Sequence, residues 1–222
     1  EKAAKKIAMG EDHLEDKNSV GEERILIPLA NPNNVENLVN MALMIRDDRS
    51  CKELIGLNVV CDTENISLQE KRGRQALNNA AKIAAAADVS MQMQTRVGTS
   101  ITSGILHVVS ERHITNIIIG LHHKESIVDS FYGKLTNGLL QETNSQLMIV
   151  NCKLPVNTLR RILALVPPKA EYEAGFYKWI GHLSMMGEQL SCRIRFFGQS
   201  DTLMKIQRFV KGKYENVGAD FL

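Results

Sequence analysis

The run from Gly120 to Asn137, Gly-Leu-His-His-Lys-Glu-Ser-Ile-Val-Asp-Ser-Phe-Tyr-Gly-Lys-Leu-Thr-Asn, gathers the richest set of chemically able side chains in the 222-residue chain. A glycine leaving a strand, a flexible loop and a second glycine, Gly133, opening a helix would let backbone N–H groups approach phosphate oxygens. Lys124 and Lys134 would add charge-assisted contacts to such an anion. The same glycines also admit a purely structural reading, Gly120 as a strand stop and Gly133 as a turn into a helix.

Other chemistries fit less well. His122 and His123, followed by Glu125 and Asp129, suggest a metal, but neighbouring side chains on extended backbone point apart, so no metal ligand is assigned. Ser126 and Ser130 lie near both histidines in sequence, yet there is no Gly-x-Ser-x-Gly elbow and no separate orienting carboxylate, so no catalytic residue is assigned and the chain is not read as an enzyme. Neither a Gly-x-Gly-x-x-Gly after the first strand nor a Gly-x4-Gly-Lys-Ser/Thr loop occurs. His107 and His113 read as surface histidines. Cys51, Cys61, Cys152 and Cys192 are widely spaced, without a Cys-x-x-Cys pair, and read as buried reduced thiols.

Five strands and four helices must position that loop. Residues 24–29 are a short apolar run closed by Asn31-Pro32, as in a strand buried on both faces. Residues 33–46 place Val35, Leu38, Val39, Ala42 and Ile45 at helical spacing, with Asn33 or Asn34 as the cap. Residues 53–60 form a second strand and residues 68–87 an alanine-rich helix. Residues 90–97 alternate Met91, Met93 and Thr95 with Gln92, Gln94 and Arg96, the period of a half-exposed edge strand. A helix over 101–111, a strand over 116–119, a helix near 131–142 and a strand over 146–150 complete the series. Regular alternation of strand and helix predicts right-handed crossovers, a parallel doubly wound α/β sheet, and a ligand crevice at the carboxyl ends of the strands where strand order reverses.

Arg161-Ile-Leu repeats Arg24-Ile-Leu 137 residues later. A helix over 171–189, a strand over 193–197 and a helix over 202–210 then repeat the opening order. The expected organisation is a linker over 1–23, a complete domain over 24–151 and a truncated second copy over 160–222, which would be poorly ordered or lean on another copy of the chain. A homodimer is the partner this implies. With 27 basic and 25 acidic residues and a net charge of +2, no strong field favours nucleic acid. No apolar run reaches the 18 residues of a membrane span, so direct insertion is not expected. The chain is expected to be an excised piece of a longer protein.

Over about residues 24–151 and again over 160–222 the chain resembles the universal stress protein family, whose nucleotide-binding members carry Gly-x2-Gly-x9-Gly-Ser/Thr after the fourth strand. Gly120, His123, Gly133 and Lys134 stand at its four positions, with spacing kept and two identities changed. The resemblance implies a five-stranded sheet of order 3-2-1-4-5. It also implies an aspartate after strand one, where this chain has Ala30 within Ile27-Pro-Leu-Ala-Asn31. ATP or another adenine nucleotide is the cofactor the family would bring, through a signature degraded here at three places. The resemblance and the crevice together name Asn31, Val60, Gly120, His123, Gly133, Lys134 and Thr136 as ligand contacts. The paired copies behind a charged linker also resemble the cytoplasmic tail of bacterial monovalent cation/proton antiporters of the sodium/proton exchanger type. That implies a ligand-sensing regulatory domain on the cytoplasmic side of the cell membrane, with the membrane transport domain of the same parent chain as its partner. A stand-alone nucleotide-binding stress protein and a ligand-free dimerisation scaffold remain as alternatives.

Overall fold

The computed structural model describes residues 22–51, 53–61, 66–121 and 128–222, with the backbone alone for 128–132. His122, His123, Lys124, Glu125 and Ser126 lie outside the described residues. The described chain divides into two compact units, Glu22–Val156 and Asn157–Leu222.

In the first unit, β1 (Ile25–Pro28), β2 (Glu53–Cys61), β3 (Ser90–Gly98), β4 (Asn116–Gly120) and β5 (Gln146–Val150) alternate with α1 (Val35–Ile45), α2 (Ile66–Ala86), α3 (Ile101–Arg112) and α4 (Val128–Glu142). All four pairings are parallel, and the strand order is β3-β2-β1-β4-β5. Successive residues of a strand point to opposite faces, and each face has its own helices. Ile25, Ile27, Leu54 and Ile118 pack with Val39 and Ala42 of α1 and with Ala76, Leu77 and Ala80 of α2. Leu26, Ile55, Ile117 and Ile119 pack with Ile105 and Val108 of α3 and with Leu135 and Leu139 of α4. This double burial explains the unbroken apolar runs of β1 and β4, and each fully buried aliphatic side chain is worth about 1.5–3 kcal/mol. β3 sits at the sheet edge, mostly exposed or half-buried, as its two-residue alternation predicts.

Three local expectations need correction. Gly133 does not open a helix, because α4 begins at Val128 and Gly133 is its sixth residue. Only the first four N–H groups of a helix lack an internal partner, so the Gly133 N–H belongs to the helical ladder. Asn34 holds the N-cap position of α1 but its side chain makes no cap bond, and Asn33 is not the cap. Asn31 Oδ1 instead accepts from Asn33 N at 2.9 Å and caps a 3-10 turn over Pro32–Asn34. The helix expected from residue 171 starts at Phe176 as α5 (Phe176–Gln189), because Gly175 before it has φ +78° and breaks the run.

The second unit consists of β6 (Arg161–Leu165), α5, β7 (Arg193–Phe197), α6 (Ser200–Lys213) and β8 (Ala219–Phe221), with a parallel sheet of order β6-β7-β8. It is a partial second copy. β6 pairs with β7 and β7 with β8 as β1 pairs with β2 and β2 with β3, and a 3-10 turn over Ala170–Tyr172 stands where Pro32–Asn34 stands in the first. This unit has its own core, formed by Phe176, Ile180, Ile194, Phe196, Ile206 and Val210. Phe176 and Trp179 meet edge to face at 5.8 Å, so this pair packs the helix. Glu171 is buried beside the start of α6, where its Oε2 accepts from Thr202 Oγ1 at 2.6 Å.

Candidate ligand crevice at the ends of β1 and β4

Strand order reverses between β1 and β4, and the chain leaves both strands at the carboxyl end of the parallel sheet. Past β1, Leu29 N still donates to Leu57 O at 2.7 Å, which extends the ladder by one residue. Ala30 and the Asn31 cap then turn the chain into α1. Past β4, Leu121 N donates to Val150 O at 2.8 Å and holds the exit against β5. Opposite, Ser100 Oγ accepts from Ser103 N at 3.1 Å and Ser103 Oγ accepts from Ser100 N at 3.2 Å. This reciprocal cap fixes the start of α3, which brings Ile101 and Ile105 to the crevice.

Between these elements lies a cavity of about 100 Å³. Its walls include Leu38, Leu57, Val59, Ile101, Ile105 and Leu135, its polar side chains are Asn31 and Asn34, and no ionisable side chain among the described residues lines it. Pockets for drug-sized ligands run to about 300–1,000 Å³. The described part of the crevice is smaller than this range, and its described residues present no charge to a phosphate.

The structure brings together two of the residues singled out from the sequence. Asn31 and Gly120 line the cavity. Asn31 spends its Oδ1 on the 3-10 turn, and Gly120 has a packing reason to lack a side chain, since a Cβ there would lie 3.2 Å from both Leu38 methyl groups. Val60 is fully buried in β2 and does not line the cavity. Lys134 is exposed and Thr136 half-buried on α4, whose Leu135 is the residue that reaches the crevice. A Cβ on Gly133 would meet nothing within 4 Å. Sequence reasoning did not place Leu38 of α1, or Asn34 just before it, among the residues that line the crevice. The helical apolar spacing that exposes Leu38 to view assigns it to the core without showing which end of the sheet it covers.

Among the described residues no group of three His, Cys, Asp or Glu side chains is placed to hold a metal ion. Burial pushes the Cys51 thiol up to about 12, with the Glu23 carboxylate adding to the effect. Burial also raises the thiols of Cys152 and Cys192. Thiols held protonated are poor nucleophiles. Cys51 and Cys192 are buried, whereas Cys61 and Cys152 are only partly so.

The order 3-2-1-4-5, with helices on both faces and a crevice at the switch point, decides the architecture. The fold is universal-stress-protein-like. A universal stress family protein from Burkholderia pseudomallei is similar at 16% identity and TM-score 0.47, over 60% of this chain and 98% of that one. The universal stress protein of Archaeoglobus fulgidus in complex with dAMP is similar at 11% identity and TM-score 0.46, over 57% and 96%. The cytoplasmic domain of a prokaryotic cation chloride cotransporter is similar at 11% identity and TM-score 0.56, over 90% of this chain and 78% of that one. That last match is longer than the first unit alone can supply. At these identities the likeness is one of fold. No family model and no curated protein sequence matches the chain.

Proposed function

We propose that this chain is a non-catalytic regulatory domain of a membrane cation transporter, of the monovalent cation/proton antiporter type, lying on the cytoplasmic side of the membrane. The observation that carries the reading is the extent of the likeness to a transporter's cytoplasmic domain, which takes in 90% of the chain at TM-score 0.56. The sequence resemblance to antiporter tails supplies the finer identity. Ion and proton movement would belong to a membrane domain of the same parent chain, and this domain would bias it through a ligand or partner that binds its two states unequally. A small crevice whose described walls carry no ionisable side chain favours a second reading, in which the domain is a ligand-free scaffold that joins two transporter copies.

The test joins two measurements. The reading frame that precedes Glu1 is expected to encode several apolar spans of about 20 residues each, and removal of this domain from that parent is expected to change cation/proton exchange in everted vesicles. Calorimetric titration of the folded chain with ATP, ADP, AMP and cyclic dinucleotides then separates the two readings. Saturable heat with any of them supports a sensor, and silence together with altered transport supports the scaffold. A frame without apolar spans, or transport unchanged by the deletion, overturns both.

A further inference from the structure

Helix α2 is the longest in the described chain, at 21 residues, and its two sides differ sharply. Gly73, Ala76, Leu77, Ala80 and Ala84 are its buried side. The helical repeat puts Lys71, Gln75, Asn78 and Lys82 on one line along the opposite side. Arg72 and Arg74 flank that line, and all four cations are exposed. Glu70 is the only carboxylate in the helix. No ion pair among the described residues involves Lys71, Arg72, Arg74 or Lys82. Glu70, Lys71, Arg74, Asn78 and Lys82 border a surface depression, and Leu68, at the start of the helix, leaves 48% of its surface in water.

The whole chain carries a net charge of +2, whereas this one helix carries four cations against one anion. Charge this concentrated on a single solvated face makes a local positive field that the total does not reveal. From these features we infer that the outer face of α2 is a docking surface for an anionic lipid membrane. The choice of a membrane over other polyanions rests on the transporter reading above, which would hold the domain beside a bilayer. Two observations fit it. Lys71 and Lys82 stand about 16 Å apart along the axis at 1.5 Å per residue, so the helix can lie flat on that plane with Leu68 turned to the interface. The helix contains no aromatic side chain, so nucleic-acid bases would have no ring on which to stack.

The purified 222-residue chain is to be floated with vesicles of phosphatidylglycerol mixed with phosphatidylcholine, and with vesicles of phosphatidylcholine alone. Association is expected with the anionic vesicles only, and it should disappear when salt is raised from about 0.1 M to about 1 M, which shortens the screening length from about 10 Å to about 3 Å. Each Lys or Arg at such a surface is worth about 1 kcal/mol, or roughly five-fold in binding. Lys71→Ala with Lys82→Ala should therefore weaken partition about 25-fold. Alanine is the better helix former, so that loss would not reflect a melted helix. Arg208→Ala with Lys211→Ala, which removes the same charge from exposed positions on α6, should leave partition unchanged. No association with anionic vesicles overturns the inference, as does equal loss in both double variants. Displacement of the vesicles by equimolar single-stranded oligonucleotide would also overturn it, assigning the face to nucleic acid instead. If flotation fails while deletion of the domain still alters transport, the assignment of this face falls alone. If the parent frame encodes no transporter, the transporter reading falls and the flotation result still stands as a property of α2.

Discussion

A thiol held at about 12 is neutral throughout the physiological range, and Cys51 is in that state because water does not reach it. Its ordinary value is 9.0. Between about pH 9 and pH 12 the unfolded chain releases this proton while the folded chain retains it, so the folded form binds more protons and its stability falls as pH rises through that window. Below pH 9 the contribution is fully present. The midpoint of urea denaturation is therefore expected to drop more steeply above pH 9 in the native chain than in Cys51→Ala, and identical slopes would show that Cys51 is not the group responsible. Residue chemistry of this kind was only half legible beforehand. Cys51 stands between Ser50 and Lys52, so its neighbours gave no sign of burial, and nothing local to Asn31 showed that its side chain is committed to the turn, because that depends on where the Asn33 N–H ends up. Gly133 was misplaced for a similar reason, since the preceding residues were read as a loop although α4 already runs through them.

At the scale of elements, glycines decide how closely helix and strand approach. A Cβ on Gly104 of α3 would sit 2.6 Å from Val59 Cγ1, and one on Gly73 of α2 would sit 2.0 Å from Asn58 Oδ1. Asn58 is buried and donates from Nδ2 to Leu29 O at 2.8 Å, so Gly73→Ala would disturb the strand exit that walls the crevice. Gly104→Ala is expected to cost about 1–3 kcal/mol through overpacking, and Gly73→Ala a similar amount by displacing a buried hydrogen bond. Gly133→Ala, with open space around it, should stabilise the chain by about 0.5–1 kcal/mol. Thermal denaturation of the three variants checks the order, and a destabilised Gly133→Ala would mean that a glycine is needed there after all. The elements themselves were the most readable part of the sequence, because unbroken apolar runs and helical spacing are local signals. β8 escaped notice, as three residues carry no period, and it forms only because Ala219–Phe221 find β7, with Asp220 paired to Arg193 at 3.0 Å and Phe221 stacked on Phe196 at 5.6 Å.

For the whole molecule, the repeat is real in topology but unequal in its surfaces. Leu26 of β1 is fully buried, whereas Leu163, which follows Ile162 as Leu26 follows Ile25, is 64% exposed and Leu165 is 82% exposed. The registers place Arg195 opposite Leu163 where Ile55 stands opposite Leu26. The second sheet thus covers one face with α5 and α6 and leaves the other amphiphilic, a difference that element order alone does not disclose. The two buried cysteines are divided between the units, Cys51 in the first and Cys192 in the second. Each can meet a thiol reagent only when its own unit opens, so the chain carries a pair of internal clocks. Pulse labelling in mild denaturant, read by mass spectrometry, would time both at once. The smaller core around Phe196 is expected to expose Cys192 at lower denaturant than the first unit exposes Cys51. Matching rates in every condition would instead mean that the chain opens as one cooperative body.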